Sequence, residues 1–297
     1  MANKRLLVCD LDNTLYDWVD YFVSAFYAMV DEVVQITGCD RESLLDDFRQ
    51  VHRHFHNSEE PYALLGTQTV RSLYGDLPLE EIIHILDPAF HAFNSARKRH
   101  LTLYPQVLDT LSALQRSGVR LVAHTESMLY ATVDRLNRLG LFDYFEKIYC
   151  RERSSINRLA PANDGSWLDQ FPMQKITELS LHQAKPNPSV LLEICDREGV
   201  RPSDSGYVGD SIARDILMAR HANVFSIWAA YGASYNSEQY KALVRVSHWT
   251  EADVLRERNL SEEARDIRPD WIAYRSFAEV LDALDVSEAE IGQRKLG

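Results

Sequence analysis

Two aspartates, Asp10 and Asp12, follow directly after the apolar run Leu6–Cys9, with a single leucine between them. Carboxylates of this kind can bind a divalent cation, attack an electrophilic centre or transfer a proton. Aspartate is also common where a strand turns into a loop, so the pair by itself permits a purely structural interpretation. The chemical interpretation requires further polar groups elsewhere in the chain, brought close to the pair by the fold.

Further polar side chains stand where an apolar run ends or where a helix is expected to begin. Thr125 ends the run VRLVAHT, and Asp210 ends the run SGYVGD. Asp215 follows five residues after Asp210 in GDSIARD, and Lys185 precedes two prolines that suit the start of a helix. In open α/β sheets, ligands bind outside the carboxyl ends of the strands, so we expect these groups to meet there.

The elements that would position these groups are short apolar runs rich in β-branched residues, separated by helical patterns. The runs are apolar throughout rather than alternating, which is typical of strands covered on both faces. This pattern predicts an α/β fold with a doubly wound parallel sheet. The predicted strands span residues 5–10, 119–125, 147–150, 205–210, 224–230 and 270–274.

Residues 17–100 depart from this alternation of strands and helices. They form long segments that carry apolar residues at helical spacing. We therefore predict an all-helical cap domain at 17–100 and a discontinuous α/β core domain formed by 1–16 and 101–297. Two further stretches, 153–172 and 232–269, show no regular pattern and are predicted to be long loops. Loops of that length often act as lids or contact surfaces.

The composition excludes several classes of function. Of the 297 residues, 45% are hydrophobic and 26% are charged, as in ordinary soluble proteins. A net charge of −12 argues against nucleic-acid binding, because a phosphate backbone requires a basic face. No apolar run approaches the ~18 residues that a membrane span needs. The first strand starts too early to leave room for a signal peptide, and the four cysteines are scattered, so we expect a cytoplasmic protein with reduced thiols.

Four motifs in order resemble the haloacid dehalogenase (HAD) superfamily: DLDNT at 10–14, the strand ending in Thr125, Lys185 before a proline, and GDSIARD at 209–215. The helical insertion resembles the cap that follows the first motif in many members. The resemblance covers nearly the whole chain. It implies a Mg²⁺-dependent phosphatase that acts on a small phosphorylated metabolite, with no nucleic-acid or membrane partner.

The resemblance also implies roles for the acidic residues. Asp10 would be the nucleophile and form an aspartyl phosphate, since a carboxylate with a reference pKa of ~3.9 is ionised at neutral pH. Asp12 would protonate the leaving oxygen and then take a proton from the attacking water. Mg²⁺ would be bound by the carboxylates of Asp10 and Asp210 and by the backbone carbonyl of Asp12. Asp215 would lie in that ligand shell or just behind it, orienting the ligands or the catalytic lysine.

The transferring phosphoryl oxygens would be held by the Thr125 hydroxyl, the Lys185 ammonium and the backbone N–H groups around Leu11 and Glu126. Many relatives carry asparagine where this chain has Glu126. A negative side chain beside a dianionic phosphate is expected to narrow the choice of substrate or to lower activity. The phosphate-binding role of the backbone N–H at this position does not depend on the side chain.

Three alternatives stay open at the level of sequence. A phosphoglucomutase-like phosphotransferase would use the same residues, and a non-catalytic binding protein could share the fold. A 2-haloacid dehalogenase would need no metal, and Asp12 together with the acidic GDSIARD segment counts against it. In the predicted cap, the segment RQVHRHFH at 49–56 either forms a solvated helical face, which we favour, or supplies a cation that reads an anionic leaving group. The sequence does not identify the substrate or the oligomeric state.

Overall fold

The computed structural model describes residues 4–152, 167–234 and 236–286. These residues form a parallel sheet with the strand order β4-β3-β2-β1-β5-β6-β7. The structure thus confirms the predicted α/β fold with a doubly wound parallel sheet. The strands are β1 (Leu6–Cys9), β2 (Arg120–Met128), β3 (Lys147–Arg151), β4 (Ile176–Leu179), β5 (Ser205–Gly209), β6 (Phe225–Ala229) and β7 (Trp271–Ala273).

The strand order places the first strand at the centre of the sheet. From β1 the chain proceeds through β2, β3 and β4 in one direction, and then returns to place β5 on the other side of β1. The direction of winding therefore reverses between β1 and β5. A reversal of this kind leaves a crevice at the carboxyl ends of the two strands, where ligands bind in open α/β sheets.

Both faces of the sheet are buried, which explains why the strands read as continuous apolar runs. Leu7 and Cys9 of β1 belong to one apolar cluster, whereas Leu6 and Val8 belong to another on the opposite face. The helices that follow the core strands are α5 (Val107–Arg116), α6 (Leu129–Arg138), α7 (Pro188–Arg197), α8 (Leu217–His221) and α11 (Glu279–Ala283).

The segment between β1 and β2 is helical, as predicted, and contains α1 (Trp18–Thr37), α2 (Arg41–Phe55), α3 (Gln68–Tyr74) and α4 (Leu79–His100). The side chain of Asp17 caps the start of α1 by accepting the N–H of Asp20, and Gly38 ends it with a φ of 66°. Helices α1 and α4 pack along each other. We call residues 17–100 the helical insertion, and their division from the core as a separate domain stays a prediction.

The prediction of a long loop at 232–269 is wrong, because this stretch contains α9 (Ser237–Val246) and α10 (Glu251–Glu263). Helix α10 buries none of its residues, so it carries no apolar stripe for a sequence pattern to reveal. It starts at a capping box formed by Thr250 and Asp253. Of the other predicted loop, residues 153–166 lie outside the described residues, and Leu168–Gln170 forms a short 3₁₀ turn.

Helix α9, which belongs to the stretch 232–269, packs against the helical insertion. Tyr27 of α1 donates its hydroxyl to the carbonyl of Ala242 at 3.0 Å. His52 of α2 lies 2.7 Å from the carbonyl of Val246 through Nδ1, which must be the donor. His52 is completely buried, so the prediction of a solvated face for the histidine cluster is wrong at this residue.

Two further differences concern the strands. Strand β2 continues three residues beyond Thr125, and its register against β3 shifts between His124 and Met128. Strand β4 was absent from the prediction because it is short and only partly buried. Among the described residues, no helix combines the length and the apolar character that a membrane crossing requires.

Candidate active site

Asp10, at the carboxyl end of β1, is held in a buried group with Lys185. The Lys185 ammonium donates to Oδ1 of Asp10 at 2.5 Å and lies 2.8 Å from Oδ1 of Asp215. The Thr14 hydroxyl donates to Oδ2 of Asp10 at 3.1 Å. All three charged side chains are almost completely buried. We call Asp10, Lys185 and Asp215 the Asp10 group.

Asp215 is fixed by the loop that leads from β5 into α8. Its Oδ1 accepts the Tyr207 hydroxyl at 3.1 Å, and its Oδ2 accepts the backbone N–H of Ser211 at 3.0 Å. The residues Ile212–Ile216 form one π-helical turn, a rare feature that is frequent at functional sites. A Cβ at Gly209 would overlap the Asp215 carboxylate, so this close approach requires glycine. Asp215 is therefore fixed in position at its 2.8 Å contact with Lys185.

A cluster of acids surrounds this lysine. Carboxylate oxygens of Asp10, Asp210 and Asp215 all lie within 4.8 Å of one another. Burial raises the pKa of Asp10 well above its usual range, Lys185 opposes this effect, and the charges of Asp215 and Asp210 add to it. Three carboxylates around one ammonium leave uncompensated negative charge. The donor set is thus of the kind that holds a hard divalent cation such as Mg²⁺.

Lys185 stays protonated in this surrounding. Burial by itself would lower its pKa, but the carboxylates of Asp10 and Asp215 outweigh burial and raise the pKa well above its usual value. The lysine is therefore a fixed positive charge, placed beside the predicted nucleophile. Such a charge suits the binding of phosphoryl oxygens.

Asp12 is held by a different set of partners, which we call the Asp12 group: Asp12, Ser127, Arg135 and Glu59. Oδ2 of Asp12 accepts the hydroxyls of Ser127 at 2.6 Å and Thr125 at 3.4 Å. Its Oδ1 faces the Arg135 guanidinium at 3.4 Å. Arg135, on α6, is 1% exposed and also binds Glu59 of the helical insertion and the Ser127 hydroxyl.

The structure adds four residues that were not predicted from the sequence: Ser127, Arg135, Glu59 and Tyr207. Arg135 carried a usable signal, because it lies three residues after the buried Thr132, on the face of α6 that turns inward. A charged residue on a buried helical face needs a partner and is therefore conspicuous. Glu59 carried no such signal, because it lies in the connection after α2, far from the motifs in the sequence.

The remaining predicted residues lie at the same edge of the sheet. The backbone N–H groups of Leu11 and Asp12 bond to no acceptor within the described residues, so they stay available to a ligand oxygen. The Glu126 carboxylate is paired with the Arg214 guanidinium at 2.6 Å, and Arg214 also pairs with Glu257 of α10 at 2.6 Å. Arg214 therefore compensates part of the negative charge that we expected to disturb a bound phosphate.

A cavity of about 60 Å³ lies next to the Asp12 group. Ser127 and Glu59 form part of its wall. Further wall residues come from the helical insertion, from the ends of β2 and β3, and from the segment before α10; they include Trp18, Ser58, Glu126, Arg151, His248 and Trp249. The cavity thus joins the core to the insertion.

The structure brings all the predicted site residues to the carboxyl ends of β1, β2 and β5. Asp10, Lys185, Asp210 and Asp215 meet on the β1–β5 side. Asp12 meets Thr125 on the β1–β2 side. The motifs, which are up to about 200 residues apart in the chain, therefore form one site, while the role of each residue stays a prediction.

Comparison with known proteins places the chain in a family. Residues 4–223 match the model of the haloacid dehalogenase-like hydrolases. A phosphoglycolate phosphatase from Nitrosococcus oceani is 28% identical over 244 residues, which cover 79% of this chain and 88% of that protein. A glyceraldehyde 3-phosphate phosphatase from Methanopyrus kandleri is 24% identical over 228 residues, which cover 75% of this chain and 82% of that protein.

Solved structures show the same fold. A 2-haloacid dehalogenase from Pseudomonas syringae pv. Tomato DC3000 has a TM-score of 0.53 and 21% identity, covering 95% of this chain and 98% of that one. A HAD phosphatase from Thermococcus onnurineus has a TM-score of 0.52 and 16% identity, covering 95% and 99%. The family model, which spans most of the chain, and the shared fold lead to one conclusion. The chain is an enzyme of the haloacid dehalogenase-like hydrolase family.

Proposed function

We propose that the enzyme is a Mg²⁺-dependent phosphatase that hydrolyses a small phosphorylated metabolite through an aspartyl phosphate on Asp10. The observation that carries the proposal is the buried contact of Asp10 with Lys185 inside the acid cluster. It supplies a nucleophile, a fixed positive charge and a cation site at one point. The relatives named as phosphoglycolate phosphatase and glyceraldehyde 3-phosphate phosphatase support the same reaction type.

The first chemical step would be attack of an Asp10 oxygen on phosphorus. Phosphate monoesters are dianionic, so the attacking carboxylate and the ester repel each other unless positive charge lies between them. Lys185 supplies one such charge, and the N–H groups of Leu11 and Asp12, which bond to no acceptor within the described residues, would donate to the phosphoryl oxygens. Mg²⁺, held by Asp10, Asp210 and the Asp12 carbonyl, would offset the rest of the charge when bound.

Asp12 would act as the general acid and then as the general base in the two steps of the reaction. It would donate a proton to the leaving oxygen during attack, and accept one from the water that hydrolyses the aspartyl phosphate. The hydrogen bonds from Ser127 and Thr125 fix the direction of its carboxylate. The contact with Arg135 extends this support to the helical insertion through Glu59. Closure of the insertion over the site would exclude bulk water during transfer.

The test is a phosphatase assay over a panel of small phosphate esters and one aryl phosphate, with and without Mg²⁺. We expect turnover that requires Mg²⁺ and that falls by at least about 10⁴-fold in Asp10→Asn, because the amide cannot form the covalent intermediate. Asp109→Asn, on α5 of the core, is a matched control and should keep wild-type activity. Full activity of the Asp10→Asn chain would eliminate the proposed nucleophile.

A further inference from the structure

Helices α9 and α10 run across the boundary between the helical insertion and the core. The chain leaves the core at the end of β6 and forms α9, which packs against α1 and α2 of the insertion. It then returns to the core as α10, which packs on the π-helical turn that contains Asp215. Residues 247–250 join the two helices. We call residues 236–263 the strap.

The attachment of α9 to the insertion is largely buried. Leu243 and Val246 of α9 are almost completely buried and belong to the same apolar cluster as the inner faces of α1 and α2. The carbonyl of Val246 also binds the completely buried His52 of α2. Arg245 adds an ion pair with Glu42 at 3.0 Å. Apolar burial stabilises a contact more than surface ion pairs do, so α9 and the insertion should move as one body.

The connection between α9 and α10 is also bound to the insertion. The backbone N–H of His248 donates to the Ser58 hydroxyl at 3.0 Å, and the carbonyl of Trp249 accepts from Arg53 of α2 at 3.2 Å. The next residue, Thr250, already belongs to the capping box of α10. The connection therefore contains no free chain that could lengthen when the insertion moves away from the core.

The attachment of α10 to the core is more exposed, and it lies beside the active site. Glu257 pairs with Arg214 of the π-helical turn, and Arg256 donates to the carbonyl of Lys185 at 3.2 Å. The side chains of Arg214 and Glu257 are 37% and 42% exposed. Leu260 adds a half-buried apolar contact with the same turn. Contacts between exposed charged groups stabilise little, so this attachment is weaker than that of α9.

We propose that the strap limits how far the helical insertion opens over the active site. The inference rests on the proposed function, in which the insertion closes during phosphoryl transfer, and it adds a restraint on that movement. Because α9 is bound to the insertion and α10 to the core, with no free chain between them, opening must break one of the two attachments. The weaker attachment of α10 breaks first, which separates Glu257 from Arg214 beside the site.

Pulsed EPR distance measurements on the full chain test the proposal without turnover. Spin labels are attached at two exposed positions, through Arg71→Cys on α3 of the insertion and Arg116→Cys on α5 of the core. Every chain also carries Cys39→Ser, because the other three cysteines are buried. Arg256→Gln with Glu257→Gln releases the polar contacts of α10. The ratio of long to short distances should then rise by about fivefold, as the loss of two surface contacts allows.

The matched control is Arg258→Gln with Glu262→Gln, which removes one charge of each sign from exposed positions further along α10 and should leave the distances unchanged. Arg245→Gln with Tyr27→Phe weakens the attachment of α9 and should change the distances little, because the buried contacts remain. Unchanged distances after release of α10, or equal widening in either of these two chains, would overturn the proposal. Absence of ester hydrolysis would contradict the phosphatase function alone.

Discussion

The two aspartates of the DLDNT motif lie two residues apart, yet different parts of the molecule hold their carboxylates. The partners of Asp10 come from the core: Lys185 precedes α7, and Asp215 follows β5. Asp12 is held through Arg135, which also binds Glu59 of the helical insertion. The Asp10 group is therefore complete within the core, whereas the Asp12 group is complete only when the insertion is in contact with it.

This difference suggests that the Asp10 group and the Asp12 group serve different steps of the reaction. In the proposed mechanism, binding and attack would depend on the Asp10 group, which the core alone supplies. Proton transfer would depend on Asp12, whose partner Arg135 also binds Glu59 of the helical insertion. In such an enzyme, Asp12 would reach the position for proton donation only in the closed state, when water is excluded from the site. Four predictions test this difference, in decreasing order of expected effect.

Lys185→Met should break the Asp10 group. It leaves two carboxylates, Asp10 and Asp215, buried without their common cation, which typically costs about 3–5 kcal/mol of unfolding free energy. Loss of the fixed charge should also lower kcat/KM for an aryl phosphate by about 10³-fold. Urea unfolding and steady-state kinetics measure the two effects. Lys241→Met, at an exposed position, should change neither, and a stable, active Lys185→Met enzyme would contradict the assignment.

Arg135→Met should break the Asp12 group and leave the Asp10 group intact. We expect a loss of about 3 kcal/mol of unfolding free energy, since Glu59 and Asp12 lose their buried partner, and a fall in kcat of about 10²-fold. Adding Glu59→Gln should recover about 1 kcal/mol or more in a double-mutant cycle. Arg116→Met, at an exposed position at the end of α5, is the control. Strictly additive effects of the two substitutions would show that Arg135 and Glu59 are not energetically coupled.

Arg214→Gln should leave the negative charge of Glu126 without its positive partner. Without the arginine, the carboxylate lies uncompensated beside the bound phosphate, and KM should rise by about tenfold with a smaller change in kcat. Glu126→Gln in the same chain should restore KM, because both charges are then absent. Kinetics at low and high salt sharpen the result, since screening weakens repulsion between charges near the surface. An unchanged KM in the single variant would mean that Glu126 does not face the substrate.

The pH dependence of stability should report the contact between the helical insertion and α9. Burial lowers the pKa of His52 to about 4, whereas an unfolded chain keeps a value near ~6.5. Between these values the unfolded chain binds more protons, so the free energy of unfolding should rise with pH, by up to about 1.4 kcal/mol per pH unit for this group. Urea unfolding from pH 4.5 to 6.5 measures the slope.

His52→Gln removes this titration, so the slope should become shallower. The matched control is His91→Gln, which changes an exposed histidine on α4 and should leave the slope as it is in the wild-type chain. An equal slope in the wild-type and His52→Gln chains would place the acid sensitivity elsewhere. His248, with a pKa also lowered to about 4, is the next group to examine in that case.

Much of the core could be predicted because its signals are local. The strands β1, β3 and β5–β7 lie in short runs of mainly apolar residues, so their type and position could be predicted from the sequence. Helix α10 was missed for the opposite reason. A helix such as α10, which buries no side chain, has no periodic pattern and is stabilised by its cap and by the contact of Glu257 with Arg214.

The sequence by itself determined which residues can do chemistry at the strand ends. Asp10, Asp12, Thr125, Lys185 and Asp210 each follow or precede a recognisable element, and parallel strands bring such ends to one edge. The tertiary structure alone decided what surrounds them. Ion pairs such as Arg135–Glu59 and Arg214–Glu126 join residues about 76 and 88 positions apart. Side-chain contacts of that range depend on how distant elements pack against one another, and the local pattern of residues does not specify which elements meet.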